Sequence, residues 1–170
     1  MGTLREHLML RMIMSMPGMP CIYYADEAGL EGCADPFCRR TYPWGHEDKE
    51  LLAYYRRMIA MRRENPVLSV GECRFIAPCD DIFGVIRTIE GGVDALGHPA
   101  QDACAVTLIN RSSRALDIYL GAEELGGAQE LRSENGETYC ARGGAFTVHL
   151  CGMRGVTLFR KNGTNEVMQQ

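Results

Sequence analysis

The sequence predicts an α+β chain: helix, buried strand, long loop and helix, followed by an all-β domain. Two observations carry this reading. Apolar residues recur at helical spacing up to Pro66, apart from one short continuous run. Beyond Pro66, short stretches rich in β-branched and aromatic residues alternate with turn residues.

The first helix is drawn by Leu4, Leu8, Met12, Ile13 and Met16. Thr3 stands where a cap belongs, with Glu6 three residues later as a capping box requires. Pro17-Gly18 ends the helix. Cys21–Ala25 is a nearly continuous apolar run of the kind buried on both faces of a parallel sheet. Asp26 to about Gly45 then reads as a loop, broken by Gly29, Gly32, Pro36 and Pro43. A second helix spans Asp48 to Glu64, with Leu51, Leu52, Tyr55, Met58, Ile59 and Arg62 on one face. Its acids sit at the start and its arginines towards the end, both complementing the helix dipole.

Eight strands follow, near 72–76, 82–89, 103–110, 116–120, 129–131, 138–140, 146–150 and 156–160. Glycine pairs and Asn135-Gly136 punctuate them. Strands at this spacing predict an antiparallel sandwich or barrel. The polar residues Asn162–Gln170 read as a frayed tail. The front part is incomplete as a sheet, because one parallel-type strand leaves its backbone groups without partners.

Composition narrows the function. A net charge of −4 argues against nucleic acid, which rewards basic patches. No apolar run approaches the roughly 20 residues that span a bilayer. The apolar segment Leu8–Met16 is interrupted by Arg11 and lacks a small-residue cleavage site, so it does not read as a signal peptide. The eight cysteines include no CxxC pair, and the four histidines are scattered. No metal site or cofactor is therefore expected, and the cysteines read as reduced, small apolar residues of a cytoplasmic protein.

The string "PGMPCIYYADEAGLEGCADPFCRRTYPW" (Pro17–Trp44) resembles the end of the catalytic barrel in the alpha-amylase family of glycoside hydrolases. The nearest flavour is the neopullulanase, cyclomaltodextrinase and maltogenic amylase group. The resemblance implies the last βα portion of a TIM barrel followed by the antiparallel β-sandwich called domain C. The implied division is 1–66 for the barrel segment, 67–163 for the sandwich and 164–170 for a disordered tail.

The same resemblance implies retaining hydrolysis of α-glucans such as starch, maltodextrin, pullulan or cyclodextrin. It places the family's nucleophile, acid/base and stabilising carboxylates on barrel strands that precede this stretch, so no catalytic residue is expected here. Ala25 departs from the usual glycine of the family pattern.

Asp26 and Glu27 are poor candidates for an acid pair. Neighbours on a strand point to opposite faces, whereas a retaining glycosidase needs two carboxyls about 5–5.5 Å apart across one bond. Asp35 and Arg39 are the candidate substrate-binding residues. The resemblance matches them to the Asp and Arg of a DP-x-x-R motif that hydrogen-bonds glucose units. A carboxylate accepts from vicinal hydroxyls, and a guanidinium donates a fork of bonds to sugar oxygens. A salt bridge that fixes the loop is the alternative role of the pair.

Tyr42 and Trp44 read as packing anchors, and Tyr23 and Tyr24 as core. The expected partners are an α-glucan substrate and a second copy of the chain. The lone strand and the Met-rich helix expose apolar surface that favours a homo-oligomer. No nucleic acid or membrane partner is expected. A stand-alone carbohydrate-binding or oligomerisation module is the alternative to a segment of a hydrolase.

Overall fold

The computed structural model describes residues 2–161 apart from Cys33. The predicted tail falls outside the described residues. The order of elements is α1 (Gly2–Ser15), a 3-10 turn (Asp26–Ala28), α2 (Lys49–Glu64) and the short α3 (Val67–Val70). Eight strands follow: β1 (Glu72–Cys79), β2 (Ile82–Ile89), β3 (Ala103–Asn110), β4 (Leu116–Gly121), β5 (Glu130–Ser133), β6 (Thr138–Cys140), β7 (Ala145–Leu150) and β8 (Arg154–Arg160). Every one of the eight predicted strands is present, with ends shifted by a few residues.

The strands pair antiparallel throughout. Six form one sheet in the order β1-β2-β3-β8-β5-β6, and β4 pairs with β7 in a second. Alternation along each strand sends one set of side chains between the sheets. Ile86, Val106, Leu108 and Leu158 from the large sheet meet Ile118, Phe146 and Val148 from the small one. This is the inner layer of a sandwich.

The opposite face of the large sheet is covered as well. Leu10 and Met14 of α1, Leu51, Tyr55 and Met58 of α2, and Leu68 of α3 pack against Ile89 and Ala105. The chain is thus three layers deep: helices, a six-stranded sheet and a two-stranded sheet. Burial on both faces explains why β2 and β3 are almost continuously apolar instead of alternating.

Three sequence expectations need correction. First, Cys21–Ala25 is not a strand, and the barrel segment is not realised as a βα unit. Tyr24 and Ala25 adopt positive φ (43° and 65°), and Asp26 N–H bonds back to the Tyr23 carbonyl at 2.9 Å. An apolar run extends only where a neighbouring strand accepts its hydrogen bonds; none of the described residues pairs with it, so the run curls into a turn. The left-handed region is tolerated easily by glycine and at a cost by alanine.

Second, α1 begins before Thr3, which lies inside its first turn instead of at the cap. Third, the buried stripe of α1 is Leu8, Leu10, Arg11, Met14 and Ser15, rotated from the predicted Leu4–Met16 face. Two polar residues occupy this stripe, which is why apolar periodicity missed it.

By contrast, α2 matches its expectation. Asp48 caps it, its carboxylate accepting from Leu51 N–H at 2.9 Å. Arg62 lies on the buried face as predicted, beside Met58 and Tyr55. No helix among the described residues is long and apolar enough to cross a membrane.

Two polar devices hold the helices to the sheet. The first is a chain of buried groups. Arg11 Nη1 donates to Thr157 Oγ1 (3.0 Å), which lies 3.1 Å from Thr107 Oγ1, itself 2.7 Å from Ser15 Oγ. Arg11 Nη2 also sits 2.6 Å from Glu134 Oε1, as an ion contact without hydrogen-bond alignment. The other oxygen of Glu134 accepts from Thr157 N–H at 2.9 Å. Gly155 makes room for this crossing, since a Cβ there would lie 2.7 Å from Arg11 Cδ.

The second device is a pair of buried arginines that have only carbonyl partners. Arg62 donates to the carbonyls of Met14, Met16 and Gly18 at 2.7–3.0 Å. Arg87 donates to those of Ser15, Leu68, Ser69, Gly71 and Glu72 at 2.7–3.4 Å. Met14, Ser15, Leu68 and Ser69 among these acceptors lie in the last turns of α1 and α3, where carbonyls lack intrahelical partners and the helix dipole also favours a cation.

Candidate functional site

The stretch from Asp26 to Asp48 leaves and rejoins the helical layer at one point. Asp48 N–H donates to the Ala28 carbonyl at 3.0 Å, and Ala28 is buried. Gly29 stands at this junction with φ 73°, its would-be Cβ 3.1 Å from Asp48 Cβ. Both the left-handed φ and the close approach require glycine. Between these anchors the loop projects into solvent.

Asp26 and Glu27 lie in the 3-10 turn below the loop, on neither a strand nor a shared face. Their charges, with burial as the larger cause, push the Tyr55 phenol up to about 12. The turn that carries them packs beside α2. The geometric objection to a catalytic pair assumed a strand, and the turn found here removes that premise.

Asp35 and Arg39 are brought together. Arg39 Nε lies 2.8 Å from Asp35 Oδ1, and the two side chains are 61% and 63% exposed. Short turns set this spacing, with Phe37 N–H on the Ala34 carbonyl and Arg39 N–H on that of Pro36. Cys38 Sγ points at the same Asp35 oxygen from 3.7 Å. The ion pair uses Arg39 Nε and one carboxylate oxygen. Among the described residues, neither Nη group nor Asp35 Oδ2 has a hydrogen-bond partner, which leaves a donor fork beside an acceptor. Arg40 turns the other way and donates to the Glu31 carbonyl, fixing the loop's width.

Several aromatic side chains lie in the same stretch between α1 and α2. Trp44 is 79% exposed and stacks on half-buried Tyr42 at 4.6 Å between ring centroids. Tyr23 and Tyr24 are exposed and meet at 5.5 Å, and Phe37 is exposed beside Asp35 in sequence. The expectation that Trp44 anchors packing and that the two tyrosines are core is therefore corrected. The turn at Tyr24 and Ala25 lifts those rings off the helical layer, and Trp44 finds only Tyr42. Among the described residues no three His, Cys, Asp or Glu side chains gather as metal ligands.

The chain is 35% identical over 153 residues to an amylopullulanase of Thermoanaerobacterium saccharolyticum, covering 88% of this chain and 12% of that one. The chain belongs to the alpha-amylase family of glycoside hydrolases. A maltogenic alpha-amylase of Bacillus acidopullulyticus is 29% identical over 147 residues, covering 81% of this family member and 24% of the relative. The alpha-amylase-family chain thus spans between about a tenth and a quarter of the length of these relatives.

Among solved structures, an Anoxybacillus alpha-amylase superposes with a TM-score of 0.79 at 27% identity. The superposition covers 94% of this chain and 33% of that one. The alpha-amylase of Geobacillus thermoleovorans superposes at 0.80 with 21% identity and shows the shared fold. No protein-family model matches the chain.

Proposed function

We propose that this chain is a segment of an alpha-amylase-family hydrolase acting on α-glucans by a retaining mechanism. In that reading Asp35 and Arg39 contact glucose units of the substrate, and the sandwich supports the loop that carries them. The observation that carries it is the exposed Asp35–Arg39 ion pair, in the same loop as exposed Phe37 and Trp44. Sugar rings present vicinal hydroxyls to such forks and apolar faces to such rings.

Cleavage requires two carboxyls flanking one bond, and in this reading Asp26 and Glu27 are not that pair. Incubated with maltodextrin, pullulan or cyclodextrin, the purified 170-residue chain is expected to release no new reducing ends. Turnover by the chain itself, abolished by no substitution outside it, would contradict this reading.

A second reading concerns assembly. Met19, Tyr23, Tyr24, Phe37 and Trp44 are all exposed on the same side of the sequence, between α1 and α2. Exposed apolar groups at this density favour association. A second copy covering this segment would give a dimer of about twice the 18.9 kDa chain mass in light scattering. A monomer at micromolar concentrations would rule out self-association as the cover. The carbohydrate-binding module remains the alternative role, and glucan affinity without hydrolysis is its mark.

A further inference from the structure

A cleft of about 780 Å³ opens where α1 and α2 meet the ends of β5 and β8, away from the Asp35–Arg39 loop. Its floor holds the Arg11–Glu134 contact, Tyr54 and Phe159. Three further arginines line it, each from a different element: Arg57 on α2, Arg132 on β5 and Arg154 on β8. All three are exposed, and among the described residues none lies within salt-bridge distance of a carboxylate.

The cleft has two carboxylates, Glu64 and Glu134, and Glu134 is already held by Arg11 and Thr157 N–H. Cations therefore outnumber anions in a chain whose net charge is −4. We propose that this cleft binds a small ligand carrying a phosphate-class oxyanion, gripped by Arg57, Arg132 and Arg154.

Three guanidiniums from three elements suit a multivalent oxyanion better than a single carboxylate. Each planar fork can take two oxygens, and a tetrahedral group offers several faces. The apolar part of the floor, Tyr54 and Phe159, gives an organic ligand somewhere to lie. Arg57 already stands over the Tyr54 ring at 5.4 Å, so it is partly positioned before any ligand arrives.

His7 reports on the same crowding. Its ring stacks on Tyr54 at 4.0 Å, and its Nε2 is buried without a partner. Burial, and then Arg154 and Arg57, hold its pKa below the ordinary value. An anion seated among these arginines offsets their repulsion and moves the His7 titration back towards it.

The test is a thermal-shift and NMR titration of the intact chain with inorganic phosphate, at fixed ionic strength set by sodium chloride. A saturable rise in melting temperature is expected, with the His7 titration midpoint moving up. The variant Arg57→Ala/Arg132→Ala/Arg154→Ala should weaken the phosphate response by about tenfold or more. A control variant with the same charge change, Arg5→Ala/Arg114→Ala/Arg142→Ala, should keep it. All six side chains are exposed, so both variants should fold.

Phenyl phosphate distinguishes the ligand's source: tighter binding than phosphate points to an organic phosphate, equal or weaker binding to the free ion. An absent or non-saturating phosphate response, or equal weakening in both triple variants, would overturn the proposal.

Discussion

Replacing Arg87 with alanine is expected to lower the free energy of unfolding by about 4 kcal/mol. Arg87 is 1% exposed and spends its guanidinium on five backbone carbonyls from α1, α3 and the turn into β1. Burial lowers its pKa, and the five carbonyls are what satisfy the buried guanidinium. Alanine removes every donor at once, leaves the acceptors dry and opens a cavity in the layer between sheet and helices.

Lysine keeps the charge but cannot reproduce a planar fork, so Arg87→Lys should recover less than half of the loss, about 1 kcal/mol. Urea denaturation of the three proteins measures this. An alanine variant within about 1 kcal/mol of the parent would mean the carbonyls find water or other donors.

The second large effect concerns the Arg11–Glu134 contact. Glu134→Ala leaves the Arg11 guanidinium buried against Thr157 with its counter-charge removed, at a cost of about 3–5 kcal/mol. Arg11→Met alone should cost less, because Glu134 still accepts from Thr157 N–H. The double variant Arg11→Met/Glu134→Leu removes both charges and should be more stable than Glu134→Ala by about 2 kcal/mol or more, by the same desolvation argument. A double-mutant cycle in urea, completed with the single variant Glu134→Leu, gives the coupling directly. Additive losses would show that the two groups act independently.

These two devices mark where sequence reading reaches and where it stops. The β-domain was legible because its strands are short, β-branched and separated by glycine turns, which are local signals. The second helix was legible in its span and charge pattern, since its acids at the start and arginines in its last turns carry their meaning in sequence order, while the structure shows Asp48 to be its cap. The buried stripe of α1 was not. Arg11 and Ser15 occupy it, and only contact with Thr107, Glu134 and Thr157, some ninety to nearly a hundred and fifty residues away, makes them interior. Arg87 in the apolar strand IFGVIRTI was the visible trace of such a contact, as was Thr107 in ACAVTLIN.

The Cys21–Ala25 run failed for the opposite reason. Its composition asks for sheet neighbours that the described residues do not include, and the backbone turns at Tyr24 instead. For the candidate site, the spacing of Asp35 and Arg39 was readable, and the structure adds their direct contact and exposure. The solvent-facing aromatics of the same stretch were misjudged, because a ring's exposure depends on what lies above it and not on its neighbours in sequence.

Trp44 is the single tryptophan of the chain and stands in the same loop as Asp35 and Arg39. Its fluorescence is therefore a specific reporter of anything that touches that loop. Titration with maltohexaose is expected to give a saturable change with a millimolar midpoint. In Asp35→Ala/Arg39→Ala, whose side chains are exposed enough to leave the fold intact, that midpoint should rise about tenfold or more. No change in the parent chain, or an identical titration in the double variant, would contradict a sugar-contacting role for the pair.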